Sequence, residues 1–216
     1  MNTQEKALEY LKENKEEFLS KYTSGYSVQD IKTAIFTAGA SGAGKTEYAI
    51  SRKSKESFLL HIDIDEVRDF FAPVGYSGTN SSEYQKPASK GVNWIFDKAT
   101  KKGYSLIMDS NFAEPTIAHS NVQRLLDKEY VVEINYIFRK FENCYEFAQK
   151  REDITKRKVP MDVVKRTMKG SFDTTLYIKS TFKDAIILNL LDRENGKIHK
   201  NIDENRFLEL LEKEIV

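Results

Sequence analysis

The chain has 216 residues, 40% hydrophobic and 31% charged with four prolines, which suits one full α/β domain with its own core and excludes a disordered or linker-dominated chain. Its 34 Lys and Arg against 33 Asp and Glu give no global electrostatic reason to expect nucleic acid or membrane partners, although a local basic groove is compatible with them. A charged, acid-rich start and no apolar run near the roughly 20 residues of a membrane span predict a cytoplasmic protein, and the lone Cys144 excludes an intramolecular disulfide and a Cys-based zinc site.

Residues 5–22 place Leu8, Leu11, Phe18, Leu19 and Tyr22 on one helical stripe among Glu and Lys, predicting an amphipathic N-terminal helix within residues 1–24. Residues 31–38, IKTAIFTA, form an apolar, β-rich run that ends on residues 39–46, GASGAGKT. That octet is a complete G-x-x-x-x-G-K-[ST] phosphate loop between a strand and a helix-forming stretch, residues 46–53. Gly39, Gly42 and Gly44 can take the positive φ angles that turn successive N–H groups inward, so the backbone of Gly39, Ala40, Ser41, Gly42, Ala43 and Gly44 makes an anion cradle closed by a helix N-terminus. Lys45 then reaches the β- and γ-phosphates of a nucleoside triphosphate such as ATP, and Thr46 a magnesium ion.

A second strand, residues 57–62, runs into Asp63-Ile64-Asp65, followed by a short helix over residues 66–71 that Pro73 and Gly75 stop. After a turn-rich loop at 72–80, Ser81 or Ser82 is the expected cap of a long helix to Lys102, with Pro87 and Gly91 as kink points. Residues 104–108, YSLIM, read as a buried strand ending on Asp109, and a helix over 114–128, a strand over 130–138 and a helix over 141–152 continue the alternation. Cys144 falls in the last of these as a small core residue. A helix from Pro160 toward Lys183, a strand at 185–191, a hairpin turn at Asn195-Gly196 and an amphipathic helix over 203–215 complete the chain. This order, with its first strand ending on a phosphate loop, predicts one three-layer α/β P-loop NTPase domain over residues 1–216: a mainly parallel central sheet with helices on both faces, the fold that P-loop kinases share.

In such a sheet the ligand lies beyond the strands' C-terminal ends, which gathers the phosphate loop, Asp63, Asp65 and Asp109 at one crevice. Arg68 follows Asp65 by one helical turn, so the two can face the same side as a pair in which a carboxylate takes an acceptor's proton and an arginine anchors it. Asp63 reads more simply as a helix cap. Asp109 suits either magnesium through water or the acceptor, and the sequence leaves both open. The basic segment at 150–158, within a candidate lid at 150–160, offers Arg151 and Arg157 as cations to stabilise a transferring phosphoryl group. His61, His119 and His199 share no ligand spacing and read as structural or surface residues, and Trp94 and the Tyr/Phe-rich tract at 130–147 as core.

Taken in order, GASGAGKT, HIDIDEVR, LIMDSN and QKRED with KRKVP look like the zeta-toxin and polynucleotide-kinase branch of P-loop kinases, over roughly residues 31–170. The resemblance implies that Asp65 is the general base, that Arg68 and Asp109 contact the acceptor, and that Arg151 and Arg157 are the lid arginines. It further implies phosphorylation of a hydroxyl of UDP-N-acetylglucosamine and a small antitoxin as partner. Where zeta toxins typically carry Gly-Thr-Gly-Arg after the strand acid, this chain has Ser110-Asn111-Phe112-Ala113. The stretch from Asp109 through Asn111 is closer to phage-type polynucleotide kinases, which makes Asn111 a further acceptor-binding candidate and a 5′-hydroxyl polynucleotide kinase the alternative. Nucleic acid is a partner only on that alternative, and a regulatory nucleotide-binding ATPase is an answer of another class.

Overall fold

The computed structural model describes residues 2–155 and 159–215. Among the described residues the strands are β1 (Thr33–Ala38), β2 (Leu60–Asp63), β3 (Leu106–Asp109), β4 (Val131–Phe138), β5 (Ile186–Asp192) and β6 (Lys197–His199). They form one sheet in the order β2-β3-β1-β4-β5-β6, parallel except for β6. The antiparallel pair β5–β6 turns at Asn195-Gly196, where Gly196 takes φ 66°, as the dipeptide predicts.

The helices are α1 (Thr3–Glu13), α2 (Lys15–Thr23), α3 (Lys45–Lys55), α4 (Ile64–Asp69), α5 (Gln85–Lys102), α6 (Pro115–Leu126), α7 (Phe141–Thr155), α8 (Met161–Phe182) and α9 (Glu204–Ile215). Strand periodicity assigns them to the two faces. Ala34, Phe36 and Ala38 of β1 join Leu60, Ile62, Leu106 and Met108 in the larger core beneath α5, α6, α8 and α9, while Ile35 and Ile107 pack with Ala49 of α3 on the opposite face. Residues in odd register with Ile35 and Ile107 therefore face α3 and the phosphate loop. Thr37, His61, Asp63 and Asp109 are such residues, and Asp63 lies directly opposite Asp109 in the β2–β3 pair.

Three local expectations are corrected. The predicted single N-terminal helix is two, because the Asn14 side chain donates to Tyr10 O at 2.9 Å and ends α1 where α2 begins. The long helix starts at Gln85 and not at Ser81 or Ser82, which are spent in turns bonded to Gly78 O and from Gln85 N. That start puts Pro87 in the first turn, where its missing N–H costs nothing. Gly91 serves close packing: a Cβ there would lie 2.7 Å from the Phe18 ring. Phe18 is fully buried and meets Phe70 edge-on at 5.0 Å, a burial that contributes about 1.5–3 kcal/mol. Together with the bond from Tyr22 Oη to Glu66 O at 2.9 Å, this contact braces the short helix α4 against α2.

Candidate functional site

The phosphate loop is held by main-chain geometry that only glycine allows. Gly39, Gly42 and Gly44 have φ of 135°, 84° and 98°. A Cβ on Gly39 would stand 2.3 Å from Ile137 O, and one on Gly42 would stand 2.0 Å from Cys144 O, so β4 and α7 press directly on the loop. Ser41 N donates to Thr167 Oγ1 at 3.0 Å and Gly39 N to Asn111 O at 3.3 Å, tying the loop to α8 and to the segment after β3. Gly44 caps α3, whose first residue is Lys45. The Lys45 ammonium is buried and donates to Ala40 O at 2.7 Å. Burial holds its pKa down at about 8 against the attraction of Asp109.

A cavity of about 310 Å³ opens beneath the loop and brings together Ser41, Lys45, Thr46, Asp63, Asp65 and Asp109, with Gln85, Asn111 and Arg151 also on its wall. The predicted convergence of three strand ends on one crevice is thus present. Asp65 sits in the first turn of α4 and accepts from Arg68 Nη1 through an ion pair, while Arg68 Nη2 donates to Gln85 Oε1. Arg68 is 1% exposed, so the pairing seen from the helical spacing is made inside the protein and not on its surface. Arg151 of α7 reaches the other Asp65 oxygen at 3.8 Å. Arg157 lies outside the described residues.

Asp63 caps α4 by accepting from Asp65 N at 2.8 Å, as its position predicts. It does more than cap, because its carboxyl lines the cavity beside Asp109. Burial, followed by the charge of Asp109, pushes its pKa up to about 6. Asp109 accepts from Thr37 Oγ1 at 3.0 Å and is 7% exposed. Burial would raise its pKa, yet its interactions with His61 and Thr46 and the charge of Lys45 outweigh that and hold it below the ordinary range.

His61, expected to be a structural or surface histidine, is buried beside the acids of the site. It is 6% exposed, with Nδ1 3.4 Å from Glu66 Oε1 and Nε2 3.7 Å from Asp109 Oδ2. Burial lowers the imidazole's affinity for a proton, but Asp109 and Glu66 outweigh it and lift the pKa to about 9. The signal was present in the sequence: His61 stands two residues before Asp63 in a strand and so shares its face. Gln85 had no such signal, since it is distant in sequence from the Arg68 it holds. Arg139 and Arg193 were also missed. Each follows the last residue of a parallel strand, β4 or β5, and both approach Gly44 on the far side of the loop, where Ile50 and Phe147 line a second cavity. Arg139 stacks on Phe147 at 3.9 Å. Cys144 is buried as expected, and burial pushes its thiol up to about 12, which makes it a packing residue.

Among the described residues no helix is long and apolar enough to cross a membrane. No curated protein matches the chain in sequence. The toxin–antitoxin system PezAT of Streptococcus pneumoniae includes a structure similar to the whole chain and to 98% of its counterpart, at 18% identity and a TM-score of 0.75. The AvrRxo1-ORF1:-ORF2 structure with ATP is similar over 100% of this chain and 73% of that one, at 17% identity and a TM-score of 0.70. The Pnkp1/Rnl/Hen1 RNA repair complex is similar over 84% of this chain and 51% of that one, at 15% identity and a TM-score of 0.57. At such identities the likeness shows a shared kinase-type P-loop fold. A family profile described as Zeta toxin matches residues 15–204, and the chain belongs to the zeta toxin family.

Proposed function

We propose that this protein transfers the γ-phosphoryl group of ATP to a hydroxyl of a small molecule, a sugar nucleotide of the UDP-N-acetylglucosamine kind, and that it is the toxin of a toxin–antitoxin pair. The observation that carries the reading is the position of Asp65, a carboxylate on the wall of the same cavity as Lys45 and Thr46 and oriented by a buried arginine. A binding module has no use for a base facing the phosphate loop, whereas a regulatory ATPase would aim it at water and has no need of a wall shaped for an acceptor.

The residues divide the work. The N–H groups of residues 39–44 and the N-terminus of α3 receive the phosphates, with Lys45 neutralising charge at the γ-phosphate. The cavity edged by Arg139 and Arg193 suits the nucleoside end, with Ile50 and Phe147 as its apolar surface. Thr46, beside Asp109, supplies the oxygen chemistry that magnesium takes, and the ion would offset charge on the β- and γ-phosphates. Asp65 accepts the acceptor's proton as the hydroxyl oxygen bonds to the γ-phosphorus and the bridging oxygen leaves with ADP. Arg68 and Gln85 keep the Asp65 carboxylate aimed, and Arg151 stands where it can answer the developing negative charge. Asp109 and Asn111, which line the same cavity, bind the acceptor. Three carboxylates around one cavity suit the hydroxyls of the acceptor's sugar ring and repel the long phosphate track of a polynucleotide, which favours the small acceptor over a nucleic acid end.

Incubation with γ-labelled ATP and a panel of UDP-sugars, nucleotides and 5′-hydroxyl oligonucleotides tests this. Label is expected on a UDP-sugar. Label on the oligonucleotide alone would assign the polynucleotide-kinase alternative, and ATP hydrolysis with no labelled acceptor would overturn phosphotransfer.

A further inference from the structure

We propose that His61, Asp63 and Asp109 form a binding site for a first-row divalent transition cation, of the zinc or cobalt class, in the floor of the cavity beneath the phosphate loop. One ligand atom from each, an imidazole nitrogen and two carboxylate oxygens, lies within 4.8 Å of the other two. The strand register makes this possible. Asp63 and Asp109 are directly paired across β2–β3, and His61 shares their face one alternation back.

The hydrogen bonding around the cluster separates it from a chance gathering of acids. Each of the three side chains has one polar atom engaged from outside the cluster. Glu66 Oε1 faces His61 Nδ1 at 3.4 Å, Asp65 N donates to Asp63 Oδ1 at 2.8 Å, and Thr37 Oγ1 donates to Asp109 Oδ1 at 3.0 Å. The atoms left over point inward: His61 Nε2 and Asp109 Oδ2 are buried and have no hydrogen-bond partner. They stand 3.7 Å apart, too far for a hydrogen bond. That gap is close to the edge, about 3.4 Å, of a tetrahedron of ligands about 2.1 Å from a zinc ion. A carboxylate behind the imidazole is the usual arrangement of a metal-ligating histidine, since it fixes the tautomer that leaves Nε2 free and raises its basicity.

One imidazole and two carboxylates suit zinc, cobalt or manganese and do not suit magnesium, which prefers oxygen alone. The site is therefore distinct in chemistry from a magnesium ion at Thr46. Asp63 and Asp109 line the cavity, which gives the ion its path inward. An ion here would also fix the orientation of Asp109 toward the acceptor. That consequence rests on the phosphotransfer reading, whereas the binding does not.

Titrating the 216-residue chain with Co²⁺, without nucleotide and with Mg²⁺ in excess, tests the site. The expected result is one Co²⁺ per chain, with the strong visible absorption of a four- or five-coordinate nitrogen and oxygen site, displaced by Zn²⁺. Glu66→Gln, which removes only the orienting carboxylate, should weaken binding by about 10- to 100-fold, and His61→Gln and Asp63→Asn by more. Should His61→Gln fail to fold by circular dichroism, the comparison of Asp63→Asn and Glu66→Gln with wild type stands in its place. No tight Co²⁺ in the wild type, or binding that none of these substitutions changes, overturns the site and leaves His61 as an imidazolium between two carboxylates. Because nucleotide and acceptor are absent, neither result bears on phosphotransfer.

Discussion

The two walls of the cavity are built in different ways. The donor wall is backbone: contiguous residues 39–46 whose shape follows from three positive-φ glycines and the start of α3, with Lys45 the one charged side chain it aims. The acceptor wall is side chain. Asp63 at the end of β2 with Asp65 just beyond it, Asp109 at the end of β3, Gln85 on α5 and Arg151 on α7 come from four separated segments and are held by ion pairs and by the packing of α2 on α4. A wall of peptide dipoles accepts any triphosphate, whereas a wall of side chains selects its ligand and can change without disturbing the fold.

This contrast can be broken at either wall. The largest effect is expected from Lys45→Ala, which removes the buried ammonium and should lower phosphotransfer by about 10³-fold or more, measured with labelled ATP. It should also abolish growth inhibition on expression in cells, and toxicity that survives it would separate the toxin role from phosphotransfer. Asp65→Asn keeps the shape of the acceptor wall and removes its base, so kcat should fall by about 10²-fold or more while the ATP dissociation constant barely moves. Unchanged turnover would sink the assignment of Asp65. Gly42→Ala strikes the donor wall through its backbone, because the new methyl meets Cys144 O at 2.0 Å in a positive-φ position. It should cost about 2 kcal/mol, lower Tm by about 4–8 °C and weaken ATP binding. The smallest effect is on pH. Lys45 titrates near 8 in the free protein, and phosphates bind its charged form, so the ATP association constant should fall about tenfold from about pH 7 to about pH 9. Isothermal titration across that range reads the slope, and a flat profile would mean that burial does not depress the ammonium.

The donor wall was legible because everything that makes it is local. Gly39, Gly42, Gly44, Lys45 and Thr46 sit in one octet between an apolar strand and a helix, and the constraint that selects them, positive φ beside an anion, acts within a few residues. The strand and helix order was legible for the same reason, through periodicity and through turn residues such as Asn195-Gly196. Asp65 and Arg68 could be paired because a helical turn brings them together. Local signals failed where a side chain intervened, as at Asn14, or where turns consumed the expected caps, as at Ser81 and Ser82.

By itself, then, the sequence determined a parallel α/β chain with a phosphate loop, and the spacing that joins Asp65 to Arg68, because these depend on bonds between near neighbours. Only the tertiary structure decided that Gln85 holds Arg68, that Arg139 and Arg193 flank Gly44, and that His61 turns Nε2 toward Asp109. Those contacts depend on which strands lie side by side and in what register, and that is settled by burying both faces of the sheet at once.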